Sequence, residues 1–202
     1  MDPSRIVFLD RDGVINEFPG NGNYVTKIKD FHFISGSLEA LRILTQTRWT
    51  IFIVSNQAGV GKGIYSRQKL KQITNYMLKH VKKHGAKIKR IFYCTHKTHD
   101  GCWCRKPGIG SVIKALQLLN QTMRGVEDAY FVGDTKVDIQ AGHNAGCKTI
   151  FVLSGRDTRR DIRKWDRKPD YVAKNLLEAT KIINNENSHR LRLRWRRSSK
   201  SR

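Results

Sequence analysis

Short apolar runs recur along the chain, and most of them stop abruptly at polar or glycine residues. The first run, Ile6-Val7-Phe8-Leu9, is made of large and β-branched apolar residues and ends at a carboxylate. Similar runs occupy the segments 49–54 and 129–132. Runs of this length and composition predict strands that are buried on both faces of a sheet. The segments 87–93 and 147–152, which include basic residues, predict two further strands, and 170–172 predicts a short edge strand.

Segments with apolar residues at helical spacing lie between the predicted strands. They cover residues 36–47, 66–83 and 109–121, and a closing segment covers 176–183. Strands that alternate with helices favour a parallel sheet covered by helices on both faces. The expected fold class is therefore α/β, a three-layer α/β/α sandwich around a mostly parallel, Rossmann-like sheet.

Two carboxylates follow the first predicted strand directly. Asp10 and Asp12 are separated by one residue and are followed by Gly13, and the carboxyl ends of strands are where open α/β sheets bind ligands. Asp10 can attack a phosphorus atom and form an aspartyl-phosphate, while Asp12 gives a proton to the leaving oxygen and later takes one from water. Because two anions repel a phosphate, this chemistry needs a divalent cation. The alternative interpretation is a polar turn after a strand.

Polar residues also follow the second and fourth predicted strands. Ser55 and Asn56 can hydrogen-bond a phosphoryl group held over Asp10. Asp134 can bind Mg²⁺ together with Asp10, since Mg²⁺ prefers hard oxygen ligands, whereas Asp138 is expected to orient its neighbours. The glycine-rich segment 57–63 resembles a P-loop, but Lys62 is followed by glycine instead of the Ser or Thr that a P-loop requires, which excludes a nucleoside triphosphatase.

A cluster of soft ligands follows the third predicted strand. Three thiols and one imidazole complete a tetrahedral zinc shell, and we expect this shell to be structural because it leaves no position for a reacting water; its ligands are Cys94, His96, Cys102 and Cys104. His99 is an alternative to His96. The next residues are Arg105 and Lys106, and a zinc-pinned loop would hold this basic pair at the mouth of the sheet, Lys106 near the transferred phosphoryl group and Arg105 near the rest of the substrate.

Charge is the most unusual property of the composition. The 202 residues carry a formal net charge of +22, and the pI is about 10.3. Such a field attracts phosphorylated small molecules, nucleic acid and anionic surfaces alike. We predict a catalytic domain over residues 1–187 and a basic, disordered tail over 188–202, where nonspecific contact with nucleic acid or an acidic surface is an alternative to simple solvation. With 39% hydrophobic residues but neither a signal-peptide core nor a membrane-length apolar run, we expect a cytoplasmic protein without a membrane span.

Read together, these strand ends resemble the four motifs of the haloacid-dehalogenase (HAD) phosphohydrolases. The motifs are Asp10-x-Asp12-Gly13, Ser55-Asn56, Lys106 and Gly133-Asp134-x-x-x-Asp138. The zinc loop leading into Arg-Lys-Pro is similar to the histidinol-phosphate and heptose-bisphosphate phosphatase group, which lacks a large cap domain. The segments 22–25, 30–36 and 55–63 are more similar to the heptose-bisphosphate 7-phosphatases than to the histidinol phosphatases, which remain the alternative.

The resemblance also implies roles for individual residues. Asp10 is the expected nucleophile and Asp12 the acid/base, with Mg²⁺ held by Asp10, Asp134 and the backbone carbonyl of Asp12. Ser55 and Lys106 are expected to hold the phosphoryl oxygens. The implied substrate contacts, to a phosphorylated sugar, are Phe18, Pro19, Gly20, Asn21, Asn56, Gln57, Ala58 and Arg105. Thr135 departs from the pattern, because a lysine often follows the fourth-motif aspartate and here Lys136 comes one place later.

Overall fold

A computed structural model describes residues 5–126 and 128–198 of the chain. Six strands form a single sheet in which every neighbouring pair is parallel, in the order β3-β2-β1-β4-β5-β6. Their bounds are β1 Ile6–Leu9, β2 Thr50–Asn56, β3 Arg90–Cys94, β4 Tyr130–Gly133, β5 Lys148–Val152 and β6 Tyr171–Ala173. The predicted parallel sheet is confirmed.

Helices cover both faces of this sheet. Their bounds are α1 Ser37–Gln46, α2 Ala58–Gly61, α3 Arg67–Lys83, α4 Gly110–Gln117, α5 Lys136–Ala145, α6 Arg159–Ile162 and α7 Leu176–Ser198. One apolar cluster packs α1, α3 and α7 against one face of the sheet, through side chains such as Leu41, Met77 and Ile183. A second cluster packs α4 and α5 against the other face, through Leu116 and Ala141. The predicted three-layer sandwich is therefore confirmed.

Strand order reverses beside β1, which pairs with β2 on one side and with β4 on the other. The connections on the two sides run to opposite faces, so the loops after β1 and β4 separate and leave a crevice at the carboxyl edge of the sheet. The residues that follow these strands, Asp10 and Asp134, meet at this crevice.

The segment between β1 and α1 forms no separate cap domain. Residues 10–36 run as loop and turns, with a single turn of 3₁₀ helix at Ile28–Asp30. Val14, Ile15 and Phe31 fold into the main core, which ties this long connection to the sheet and leaves its middle part free to border the crevice.

The last helix, α7, is longer than the sequence pattern predicts. We predicted a closing helix over 176–183 and a disordered segment from residue 188, but α7 continues through Ser198. Elongation adds one hydrogen bond per residue once a docked turn exists, and Leu and Arg are good helix formers, so no new nucleation is needed. Residues 199–202 of the predicted tail lie outside the described residues, and the division into a domain and a tail stays a prediction. Within 5–126 and 128–198, no helix is both long and apolar enough to cross a bilayer.

Candidate active site

Residues from four strand ends line one cavity at the carboxyl edge of the sheet. The cavity has a volume of about 420 Å³, and its wall includes Asp10, Asp12, Ser55, Lys106 and Asp134. The sequence predicted a chemical role for each of these five residues, and parallel strands bring them together because their carboxyl ends share one edge. A cavity of this size suits a small phosphorylated molecule.

Lys106 lies between two carboxylates at the floor of the cavity. Its Nζ is 2.8 Å from Asp10 Oδ1 and 2.6 Å from Asp138 Oδ1, and the residue is only 3% exposed. Burial alone would disfavour the charge on Lys106, but the two carboxylates outweigh burial and raise the pKa of the ammonium group. Lys106 therefore stays charged, and Asp138 acts on it as the predicted orienting group.

Asn56 holds the backbone of Lys106. Its side-chain Oδ1 accepts a hydrogen bond from Lys106 N at 3.1 Å, and its Nδ2 donates to Lys106 O at 3.2 Å. Asn56 also lines the cavity, as the substrate-contact prediction requires. The Asn56 amide thus fixes the position of the Lys106 backbone relative to the end of β2.

Asp134 lies in a tight glycine cradle. A Cβ added to Gly13 or to Gly155 would come within 2.3 Å and 2.0 Å, respectively, of Asp134 Oδ2. That oxygen accepts a hydrogen bond from Arg156 N at 2.7 Å, whereas the buried Oδ1 has no hydrogen-bond partner. Burial, with Asp138 and Asp10 adding to it, raises the pKa of Asp134 well above its ordinary value.

The carboxylate cluster fits a divalent cation. One oxygen each from Asp10, Asp134 and Asp138 lies within 4.8 Å of the others, and burial raises the pKa of Asp10 to about 6 despite the opposing effect of Lys106. Crowded buried carboxylates are costly without a counter-charge. The orphaned Asp134 Oδ1 is therefore a suitable ligand for Mg²⁺, which prefers carboxylate oxygen.

Asp12 is held by side chains on three sides. Arg11 Nη2 donates to both carboxylate oxygens, at 2.7 and 2.9 Å, while Asn16 Nδ2 donates to Oδ1 at 2.9 Å. Gln57 Nε2 donates to Oδ2 at 2.8 Å. Gln57 is 1% exposed and lies behind Asp12 instead of on the cavity wall. The Gln57 amide is thus directed into this buried network and away from the cavity wall, and its substrate contact stays a prediction.

The remaining predicted substrate contacts all line the cavity; they are Phe18, Pro19, Gly20, Asn21, Ala58 and Arg105. The structure adds six wall residues that were not among the predicted contacts; they are Gly22, Asn23, Tyr24, Thr135, Val137 and Arg156. Arg156 follows β5. Because parallel strands end at one edge of the sheet, its position after a predicted strand was a signal that could have identified it. Lys136 is 3.5 Å from Asp166 and does not replace the family lysine at the cavity.

The zinc-ligand cluster is assembled around the end of β3. Cys94 Sγ lies 3.5 Å from Cys102 Sγ and 3.7 Å from His96 Nδ1, and Cys104 Sγ lies 3.4 Å from His96 Nδ1 and 3.6 Å from Cys102 Sγ. A tetrahedral zinc with Zn–S bonds of about 2.3 Å requires ligand separations of about 3.7 Å. The donor set therefore fits zinc, and within the described residues His96, not His99, completes it.

A carboxylate pair after β1, a hydroxyl after β2, a buried lysine and an aspartate after β4 define this chain as a phosphatase of the HAD class. The HAD-hydrolase-like family model matches residues 103–179.

Curated relatives place the chain more narrowly. It is 37% identical to the D-glycero-alpha-D-manno-heptose-1,7-bisphosphate 7-phosphatase of Campylobacter jejuni over 79% of this chain and 88% of that protein. It is 33% identical to the D-glycero-beta-D-manno-heptose-1,7-bisphosphate 7-phosphatase of Pasteurella multocida, over 89% of this chain and 96% of the relative. The chain belongs to the heptose-bisphosphate phosphatase family of HAD enzymes.

A solved structure agrees with this assignment. The D,D-heptose 1,7-bisphosphate phosphatase of B. bronchiseptica, complexed with magnesium and phosphate, superposes with a TM-score of 0.82 at 28% identity. The match covers 90% of this chain and 99% of that structure.

Proposed function

We propose that the protein is a Mg²⁺-dependent phosphatase that removes the 7-phosphate of a D-glycero-D-manno-heptose 1,7-bisphosphate through an aspartyl-phosphate. The observation that carries this proposal is the convergence of Asp10, Ser55, Lys106 and Asp134 on one cavity, in a chain 37% identical to a phosphatase named for this substrate. Relatives named for the alpha and the beta anomer both match, so the proposal covers both anomers.

In the first step, an Asp10 carboxylate oxygen attacks the phosphorus atom of the substrate. The bond between phosphorus and the sugar oxygen breaks, and Asp12 gives its proton to that oxygen, which leaves as an alcohol. Ser55 and Lys106 hold the phosphoryl oxygens during the transfer. The support for this role of Lys106 is its charge and its position 2.8 Å from the nucleophilic carboxylate.

In the second step, Asp12 takes a proton from water, and the water oxygen attacks the phosphorus of the aspartyl-phosphate. The bond between Asp10 and phosphorus breaks, inorganic phosphate leaves, and both carboxyl groups return to their starting states. Asp12 is positioned for both steps because its carboxylate lines the cavity and fixed donors hold it in place.

Bound Mg²⁺ would be held by Asp10, Asp134 and the backbone carbonyl of Asp12, where it would offset the negative charge of the phosphoryl group and the carboxylates. Zn²⁺ would be held by Cys94, His96, Cys102 and Cys104 as a structural ion. Its role would be to pin the loop that carries Arg105 and Lys106.

The far end of the substrate would meet the rim of the cavity. Arg105 and the loop Phe18–Asn21 line that rim, and we assign to them the sugar and its second phosphate. Arg156 adds a second rim guanidinium. Guanidinium groups bind phosphate with paired donors, so a bisphosphate is favoured over a monophosphate.

The test is Mg²⁺-dependent phosphate release from purified protein, with both anomers of heptose 1,7-bisphosphate and with histidinol phosphate. We expect preference for a heptose bisphosphate, loss of activity in Asp10→Asn, and loss of activity when Mg²⁺ is chelated. Preference for histidinol phosphate would contradict the assigned substrate and keep the mechanism. Turnover that survives Asp10→Asn would contradict the mechanism itself.

A further inference from the structure

We propose that Gln57, oriented by Tyr65, is a positioning residue that aims the Asp12 carboxylate for proton transfer. This inference rests on the proposed function, because it assigns a purpose to contacts around the acid/base of that reaction. Its starting point is a buried amide whose two polar atoms are both used. Gln57 Nε2 donates to Asp12 Oδ2 at 2.8 Å and to Ser55 Oγ at 3.1 Å, and Gln57 Oε1 accepts from Tyr65 at 2.5 Å.

Tyr65 determines which way the amide faces. Its hydroxyl donates to Gln57 Oε1, so the amide nitrogen must face Asp12 and Ser55. Burial raises the pKa of Tyr65, and the hydroxyl therefore keeps the proton that it donates. A reversed amide would direct an oxygen at the Asp12 carboxylate, which has no proton to share when ionised.

A backbone hydrogen bond holds Gln57, and close packing holds the Tyr65 ring. Gln57 N donates to Cys94 O at 2.7 Å, which ties the residue to the end of β3. The Tyr65 ring is 4% exposed and passes over Gly59, where an added Cβ would lie 2.4 Å from the ring. Gly59, between β2 and α3, thus leaves room for the ring of the tyrosine whose hydroxyl reaches the Gln57 amide oxygen.

Arg11 and Gln57 hold Asp12 in different ways. Arg11 is fully buried and supplies charge, because its guanidinium donates to both oxygens of Asp12. Gln57 supplies direction without charge, because it approaches Oδ2 alone and joins it to the Ser55 hydroxyl. The acid/base and the hydroxyl expected to contact the phosphoryl group are therefore aligned by one side chain.

The test substitutions are Gln57→Met and Tyr65→Phe. Methionine keeps the length of glutamine but removes both polar atoms, and phenylalanine removes only the hydroxyl that orients the amide. The matched control is Tyr76→Phe, whose ring packs on Phe31 and His80. Circular dichroism and thermal melting, with Mg²⁺ and Zn²⁺ present, establish that each variant is folded.

A comparison of two substrates distinguishes a residue that positions an acid from one that only stabilises the fold. Heptose 1,7-bisphosphate has an alkoxide leaving group that needs a proton, whereas p-nitrophenyl phosphate has a leaving group that departs without one. General acid catalysis contributes about 10²–10⁴-fold, so partial misplacement in Gln57→Met should lower kcat for the heptose bisphosphate by about 10–100-fold with KM changed by less than about 3-fold. The rate of nitrophenolate release is measured in a single turnover with enzyme in excess over p-nitrophenyl phosphate. The loss of this rate in Gln57→Met should be at least about 10-fold smaller than the loss of kcat for the heptose bisphosphate.

Tyr65→Phe should show the same asymmetry at a smaller size, and Tyr76→Phe should match the parent protein. Equal losses on both substrates, or an effect on KM alone, would contradict the inference, since a merely loosened fold does not distinguish leaving groups. If Asp10→Asn abolishes turnover but Gln57→Met has the kinetics of the parent protein, the inference about Gln57 is wrong and the proposed function stands. If turnover survives Asp10→Asn, the proposed function fails and the inference fails with it.

Discussion

The glycine cradle around Asp134 allows a test in which one added methyl group displaces a single carboxylate. Gly155 has an ordinary backbone conformation, and a Cβ there would lie 2.0 Å from Asp134 Oδ2 and 2.4 Å from Asp134 Cβ. To reach an ordinary van der Waals separation of 3.4 Å from Oδ2, Asp134 or its loop must move by about 1.4 Å. The hydrogen bond from Arg156 N to Oδ2, 2.7 Å long, would be lost or stretched.

We expect Gly155→Ala to weaken activation by Mg²⁺ and to lower the reaction rate. A misplacement of about 1 Å in a catalytic constellation costs about 100-fold in rate, so we expect kcat to fall by about that factor and the Mg²⁺ concentration for half-activation to rise. Overpacking costs about 1–3 kcal/mol, so the thermal midpoint should fall moderately while the protein stays folded. The assay is phosphate release over a Mg²⁺ titration, together with thermal melting.

Gly85→Ala is the matched control. Gly85 has φ of +73°, and an added Cβ would meet nothing within 4 Å, so alanine there strains the backbone by about 1–2 kcal/mol without touching the site. We expect Gly85→Ala to lose stability and to keep its Mg²⁺ dependence. Unchanged kcat and Mg²⁺ activation in Gly155→Ala would refute the assignment of Asp134 as a cation ligand in a tight cradle.

Three further predictions concern groups around the site. Lys106→Met should lower kcat by about 10²–10³-fold, because it removes a charged donor aimed at the phosphoryl oxygens; steady-state kinetics with a heptose bisphosphate would show it, and a change in KM alone would contradict the role. Cys104→Ser should lower bound zinc, measured by atomic absorption, and lower activity as well, since the same loop carries Arg105 and Lys106; full activity without zinc would count against a pinning role. Burial raises the pKa of Cys147 to about 12, so iodoacetamide at pH 8 should leave Cys147 unmodified in the native protein and alkylate it after unfolding, as peptide mass spectrometry would report.

Much of the fold could be predicted from the sequence because buried parallel strands are short, apolar and β-branched. Ile6–Leu9 is an unbroken apolar run, as is typical of a strand buried on both faces, and the helices that follow carry one apolar face. Helix length was less predictable. The limit of α7 was misjudged because its polar second half resembles a disordered segment, although a docked first half lets it propagate.

The residues that we propose for catalysis were also accessible from the sequence, for a physical reason. In a parallel sheet every strand ends at the same edge, so polar residues that follow apolar runs must converge wherever the order of strands reverses. The sequence alone therefore places Asp10, Ser55 and Asp134 together at one edge of the sheet. The Cys/His cluster that we propose to hold zinc was accessible too, because the spacing of its residues along one loop is short.

Only the tertiary structure decided which side chains face the cavity and which distant residues they contact. Asn56 and Gln57 are adjacent in sequence, yet Asn56 borders the cavity and Gln57 lies beneath it, because successive side chains diverge as β2 ends. Asp138 Oδ1 lies 2.6 Å from Lys106 Nζ although the two residues are 32 positions apart in the chain, and Arg156 reaches the cavity from the loop after β5. Local sequence determines where a strand ends and what chemistry follows it, whereas the direction of each side chain depends on packing between segments that are distant in the chain.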